Sequence, residues 1–179
     1  MRGSASAFRR WAVFGVLAAS VASADQLSKL WVVQAFPQPT EIVGDLVRIV
    51  LVRNSGGIFG LLGDSALMLA TASTVVIALI VVYHAREGLR QHWLLSVALG
   101  LLLGGAVGNL IDRLRLGYVV DFVDMGIGDL RWYTFNVADA AISTSIVLLI
   151  WLALFGERLA ARDERAVGPG AEPAGERSA

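Results

Sequence analysis

The chain has 179 residues, 56% of them apolar and only 17% charged, whereas soluble domains carry about 45–50% and about 25%; both figures argue against an ordinary water-soluble globule. Fifteen basic and fifteen acidic residues cancel, so no bulk field favours nucleic acid or another polyanion. With no cysteine and only two histidines, His84 and His92, disulfides, thiol catalysis and zinc-ribbon or histidine-rich metal sites are excluded as well.

A bilayer core about 30 Å thick needs roughly 20 mostly apolar residues in a helix. The first such stretch runs from Trp11 to about Val33, with Asp25 and Lys29 near its far end. Arg9 and Arg10 before it and Ala22-Ser23-Ala24 ahead of Asp25 also have the layout of a cleavable secretory signal. The spans that follow favour retention, because Asp25 gains a role only if it stays attached. Next, Glu41–Val52 intersperses Asp45 and Arg48 among aliphatic residues, and Gly44-Asp45 can turn a hairpin. A small sheet on the membrane surface is expected there. Ala66–Tyr83 is a span without any charge, and Trp93–Ile111 is a span whose only polar side chains are Ser96 and Asn109. After an apolar, strand-like run around Asp121, the last span covers Val137–Phe155, with Asp139 close to its start. Beyond it, Gly-Glu-Arg-Leu-Ala-Ala-Arg-Asp-Glu-Arg passes into a Gly/Pro/Ala/Glu tail, which reads as a helix end followed by disorder.

Lys and Arg near span ends set orientation. Arg2, Arg9, Arg10, Arg86, Arg90, Arg158, Arg162 and Arg165 lie on one side in short segments, which predicts both termini in the cytoplasm. The fold expected is therefore an α-helical integral membrane protein with four transmembrane helices and a small β-sheet or flap on the outer face. Its parts are a cytoplasmic segment 1–10, a transmembrane domain 11–156 with outer segments of about 34–65 and 112–136, and a cytoplasmic tail 157–179.

An ionisable residue within a span costs a few kcal/mol on insertion scales and is a functional candidate by default. Four polar groups gather at the outer boundary: Asp25 and Lys29; Asn109, Asp112 and Arg113; Asp121 and Asp124; Asn136 and Asp139. Each has a plain structural alternative. Asp25 and Lys29 could be an interfacial ion pair with a snorkelling lysine. Asn136 could cap the last helix with Asp139 at its third position, and Asn109, Asp112 and Arg113 could tie a helix end to its loop. Asp121 and Asp124 could be loop acids, although Val119, Val120, Phe122 and Val123 would desolvate Asp121.

Serine hydrolysis wants a histidine base, and both histidines fall on the other side. Metal-assisted hydrolysis wants ligand spacing such as H-E-x-x-H, which is absent. Ser28 and Lys29 are adjacent on a helix and point about 100° apart, a poor nucleophile–base pair. Carboxylates remain. Two aspartates held together share one proton, so one can activate water while the other protonates a carbonyl, and Asp121 with Asp139 is the pair chosen.

Five motifs carry a resemblance: Asp25-Gln-x-Ser-Lys29; Arg53-Asn54-x-Gly56-x-x-Phe59-Gly60; Gly105-x-x-Gly108-Asn109-x-x-Asp112-Arg113; Val-Val-Asp121-Phe; and Phe-Asn136-x-Ala-Asp139-Ala140. In order and spacing, over about residues 10–156, they resemble the lipoprotein signal peptidase (signal peptidase II) family. The resemblance implies an aspartic endopeptidase of the bacterial inner membrane, with its active site at the outer face and no cofactor. It would cut diacylglyceryl-modified prolipoproteins just before the lipidated cysteine. The family's catalytic pair falls on Asp121 and Asp139, and its supporting positions on Asp25, Lys29, Asn54, Gly56, Asn109, Asp112, Arg113 and Asn136. The partners expected are prolipoprotein substrates and membrane lipid, with the protein itself a monomer. Segment 41–62 would cover the site, and Gly100, Gly104 and Gly108 would give close helix packing or room for substrate. The competing readings are a proton-coupled transporter, whose acids would tend to the membrane midplane, and a non-enzymatic scaffold.

Overall fold

The computed structural model describes residues 2–56, 66–87 and 92–167. Phe59, Gly60 and the rest of the expected cover segment to residue 62, and the tail from 168, lie outside the described residues. Among the described residues, four helices and four strands follow in the order α1 (Arg2–Ala35), β1 (Thr40–Val43), β2 (Val47–Asn54), α2 (Ala66–Glu87), α3 (Trp93–Leu116), β3 (Val119–Ile127), β4 (Leu130–Arg131) and α4 (Val137–Val167).

The molecule is built around α3, against which α1, α2 and α4 all pack. Half of the apolar window of α3 is buried, against 11% for α2 and for α4. The apolar residues of those two helices therefore face outward: Leu67, Leu79, Val147 and Leu154 are all exposed. An apolar exterior of this kind suits lipid rather than water. Among the described residues, α2, α3 and Val137–Gly156 of α4 are long and apolar enough to cross a membrane. α1 is the longest helix at 34 residues, but Arg9, Arg10, Asp25 and Lys29 interrupt its apolar run.

One boundary differs from the sequence expectation. α3 continues through Asp112 and Arg113, and stops where Gly117 takes φ +79° and its N–H caps the Arg113 carbonyl at 3.2 Å. Asp112 and Arg113 thus belong to the helix rather than to an outer segment starting at 112. α4 extends to Val167, through the Gly-Glu-Arg-Leu-Ala-Ala-Arg-Asp-Glu-Arg stretch expected to be a helix end, where Glu, Arg, Leu and Ala are good helix formers.

The glycine row on α3 is a packing surface. A Cβ on Gly100 would meet the Phe14 carbonyl at 2.9 Å, on Gly104 the Ala18 carbonyl at 2.7 Å, and on Gly108 the Asp25 carboxylate at 2.7 Å. α1 fills the space, so the alternative of room for substrate falls at all three positions. Gly105 does the same for α4, against the Ala138 carbonyl.

The strands form one antiparallel sheet in the order β1-β2-β3-β4. β1 and β2 turn at Gly44, φ +48°, as its Gly-Asp pair suggests. β2 and β3 bring Val52 opposite Asp121 and Asn54 opposite Val119. Phe135 then pairs with Val123 through hydrogen bonds of 2.8 and 3.1 Å, which delivers Asn136 and the start of α4 beside β3.

Candidate active site

Asp121 lies mid-strand in β3 and has no solvent exposure. Asn54, at the end of β2, donates Nδ2–H to Asp121 Oδ2 at 2.9 Å. Asn136 donates Nδ2–H to Asp121 Oδ1 at 2.7 Å. The same Asn136 amide reaches Asn109 Oδ1 at 3.1 Å, and Asn109 Nδ2–H donates to Asp139 Oδ1 at 2.8 Å. Two asparagines therefore bridge the two aspartates. Burial pushes the Asp121 carboxyl up to about 6, with the charge of Asp139 adding to it, while the hydrogen bonds from Asn54 and Asn136 and the charge of Lys29 pull the other way.

The capping alternative for Asn136 and Asp139 is realised at the same time. Asn136 Oδ1 accepts from the Asp139 N–H at 2.9 Å, and Asp139 Oδ2 accepts from the Asn136 N–H at 3.2 Å. This reciprocal pair is a capping box at the start of α4. One local motif thus fixes the helix end and aims the Asp139 side chain.

Beneath the aspartates lies a charged knot from three helices. Lys29 Nζ sits 2.7 Å from Asp25 Oδ2, 2.8 Å from Asp112 Oδ2 and 3.2 Å from Asn109 Oδ1. Lys29 is only 4% exposed, so the snorkelling expectation is not met: the lysine is sequestered between two carboxylates. Asp25 Oδ1 accepts the Ala138 N–H at 3.0 Å, anchoring α4 to α1. Asp112 Oδ2 accepts the Val120 N–H at 3.0 Å, anchoring β3 to α3. Removing one member of a buried ion pair costs about 3–5 kcal/mol, because the other charge is left unpaired.

Not every singled-out residue joins this network equally. Among the described residues, Arg113 hydrogen-bonds only to the Asn109 carbonyl, at 3.4 Å, with its charge near Asp139, Asp121 and Asp112. Gly56 lines no part of the site; its φ of +95° and a collision of any Cβ with Leu69 explain the glycine. Its N–H instead holds Asn54 through Oδ1 at 2.9 Å. Asp124, three residues beyond Asp121, points to the other face of the strand. There Arg131 and Arg48 clamp it at 2.9 and 2.6 Å, and their hydrogen bonds hold its carboxyl below the usual range. Gln26, which sequence reasoning passed over, donates to Asp112 Oδ1 at 2.9 Å and to the Gly108 carbonyl at 3.2 Å. Its place beside Asp25 in an apolar run was the available signal.

Above the aspartates is a cavity of about 450 Å³, lined by Asn54, Asp121, Asp139 and Ser143 together with the Trp132–Phe135 segment and Ala140. Ser143 lies one helical turn after Asp139, a spacing that could have disclosed it. Asn109 and Asn136 stand behind the aspartates and outside the lining. The arrangement offers two carboxylates to one open space, one of them with raised proton affinity, which is an acid and base for a polarised bond.

Residues 17–155 match the family model for signal peptidase (SPase) II. The chain is 42% identical over 144 residues to the lipoprotein signal peptidase of Moorella thermoacetica, a match covering 79% of this chain and 92% of that one. It is 35% identical over 147 residues to the lipoprotein signal peptidase of Psychromonas ingrahamii, covering 79% and 84%. Among solved structures, it is similar to a bacterial membrane enzyme determined by the in meso method at 1.9 Å resolution, with TM-score 0.69, 28% identity, and 78% and 90% of the two chains covered. A second bacterial membrane enzyme, at 2.3 Å, gives TM-score 0.66 and 25% identity over 88% and 92%.

Proposed function

The chain belongs to the signal peptidase II family, and from that premise we propose that it is an aspartic endopeptidase that removes the signal peptide from diacylglyceryl-modified prolipoproteins, cutting just before the lipidated cysteine. The observation that carries the aspartic assignment is the asparagine bridge joining Asp121 to Asp139 beneath a shared cavity. Ionised together at close range, the two would repel, so the pair retains a proton. The ionised aspartate takes a proton from water as its oxygen attacks the scissile carbonyl, and the neutral one protonates the carbonyl oxygen. The tetrahedral diol then collapses: the C–N bond breaks, the first aspartate passes its proton to the leaving nitrogen, and the second recovers its own from the diol.

In this proposal α1 is the fourth membrane span. Its polar end is neutralised inside the protein, since Asp25 and Lys29 face α3 and α4 rather than lipid. All the site's polar groups lie at one end of the bundle, the end that we take to face outward, with both termini in the cytoplasm. Asn54, which lines the cavity, orients Asp121 and holds substrate backbone, while Asn109 orients Asp139 from behind it; Asp25, Lys29, Asp112, Arg113 and Asn136 brace the pair, and Gly56 sets the loop that carries Asn54. The protein works as a monomer, with membrane lipid around it and the substrate helix among its spans. The test is cleavage by the purified protein in detergent of a precursor peptide with and without a diacylglyceryl-cysteine. Cleavage of the lipidated peptide alone, at the bond before that cysteine, is the outcome expected. No cleavage, or equal cleavage of the unmodified peptide, defeats the assignment.

A further inference from the structure

Beyond Asp121 the sheet has two unlike faces. Residues paired across strands share a face, and neighbours along a strand alternate. Asp124 of β3 lies opposite Arg48 of β2, and Gly126 opposite Arg131 of β4. That face carries charges which satisfy one another, since Arg131 reaches Asp124 at 2.9 Å and Asp45 at 3.1 Å. On the other face Met125 lies opposite Val47, and Ile127 opposite Leu130. Trp132 joins this row, its N–H donating to the Met125 carbonyl at 2.6 Å. Ile127, Leu130 and Trp132 are 76%, 83% and 74% exposed. Large apolar side chains left open together on one side of a sheet mark a binding surface.

Leu46, Met125, Ile127, Leu130, Trp132 and Phe135 line a groove of about 740 Å³ there, a size that suits a flexible apolar ligand. Arg131 also borders it, but its guanidinium is turned to Asp124 and Asp45, which leaves its carbon stem to the groove. Trp132 and Phe135 line the cavity of Asp121 and Asp139 as well, so the two spaces meet along one segment. The proposed reaction puts a lipidated cysteine directly after the scissile bond. Its glyceryl group therefore starts about one residue, roughly 3.5 Å of chain, from the reacting carbonyl. Asn54, Thr134 and Ser143 are among the walls at that point, and polar groups covered by hydrocarbon lose their hydration. The acyl chains must leave this cavity, and the groove is an apolar space joined to it.

Resting on that reading of the activity, we infer that the groove takes an acyl chain of the substrate's diacylglyceryl group as it passes Trp132 and Phe135. The chain moves from one apolar medium into another, so the groove adds little affinity. What it supplies is direction: a chain laid along the sheet fixes how the lipidated cysteine enters, and so where the scissile carbonyl stands. The sequence has no cysteine, so Ile127→Cys, Leu130→Cys and, on the charged face opposite Arg48, Glu41→Cys can each carry one fluorophore. Asp121→Asn is added to keep the substrate uncut. In detergent, a lipidated precursor peptide with a nitroxide on each acyl chain should remove most of the fluorescence at 127 and 130 and little at 41. Phosphatidylcholine with the same nitroxides, at the same concentration, should quench 127 and 130 far less. In the unlabelled enzyme, Leu130→Glu should lower kcat roughly tenfold through misplacement of the reacting bond, with KM and thermal midpoint nearly unchanged at so open a position. Labels that stay bright, equal quenching by phosphatidylcholine, or an unchanged kcat overturns the proposal. A lipidated peptide left uncut by the wild type defeats the reading of the activity, and this subsite with it. A peptide that is cut while the labels stay bright removes the subsite alone.

Discussion

Both oxygens of Asp121, a buried residue, accept amide hydrogens, from Asn54 and Asn136. An Asn at 121 or 139 keeps the size but can neither take nor give the catalytic proton. Asp121→Asn and Asp139→Asn should each abolish single-turnover cleavage of a lipidated precursor while binding is kept; near wild-type cleavage by either would unseat the pair. Asp121→Asn also reports on pH. Its carboxyl sits at about 6 in the fold against an ordinary 3.8, so as pH rises the unfolded chain releases this proton first. Asp121 costs the fold nothing below about pH 4, and a growing amount as pH climbs through about 6. The thermal midpoint of Asp121→Asn relative to wild type should therefore rise between pH 4 and pH 7, whatever the constant offset from its altered hydrogen bonds; a flat difference would contradict the raised value. Asn54 and Asn109 cannot be acid or base. Losing one such hydrogen bond costs about 1–3 kcal/mol, a slowing of roughly 5- to 150-fold. Asn54→Ala and Asn109→Ala should thus cleave measurably above the Asp121→Asn background in the same assay. Asn variants as inactive as the aspartate variants, yet equally well folded, would enlarge the catalytic group.

Among the elements, α3 decides how closely the others approach. Its glycines let α1 lie against it, and because Gly108 leaves room for the Asp25 carboxylate, Asp25 can hold the Ala138 N–H while Lys29 beside it reaches Asn109 and Asp112. At Gly104 the obstacle is backbone: a Cβ would stand 2.7 Å from the Ala18 carbonyl. Gly104→Ala should destabilise the protein by about 1–3 kcal/mol, as overpacking does, and lower activity by moving α1. Gly15, on α1, has nothing within 4 Å of its Cβ position. Gly15→Ala should hold or raise the thermal midpoint, with the helix gaining roughly 0.5–1 kcal/mol. If the two variants melt alike, close packing is not what the Gly104 position supplies. The sheet has its own fastening, since Arg48 of β2 and Arg131 of β4 close on Asp124 of β3, keeping the strand with Asp121 aligned to the strand with Asn54.

The whole molecule is an apolar exterior around a polar knot at one end, held by links between distant parts of the chain. None of those links involves residues beyond 156 among the described side chains. Truncation after Asp163 should therefore leave cleavage of a lipidated precursor within about twofold of the full chain, since the Gly/Pro/Ala/Glu composition of the removed tail has no folding signature. A loss of activity on truncation, with the remaining protein folded, would give the tail a part in the reaction.

Length and apolar patterning determined the membrane class, the helices and the β1–β2 hairpin, because those depend on neighbours in sequence: run length against bilayer thickness, and Gly-Asp at a turn. The polar groups of the site were legible because each is costly where it stands. Their division of labour was not. Asp121 and Asp124 share one strand and similar neighbours, and only the arrival of Asn54 and Asn136 on one side, and Arg48 and Arg131 on the other, separates them. Lys29 reads as a snorkelling cation until Asp112, from another helix, encloses it. Gly100, Gly104 and Gly108 read equally as packing or as space until α1 occupies them. Each of these outcomes rests on contacts between residues far apart in the chain, such as Asp25 with Ala138, and a local pattern carries no information about which distant partner will fill the other half of a hydrogen bond.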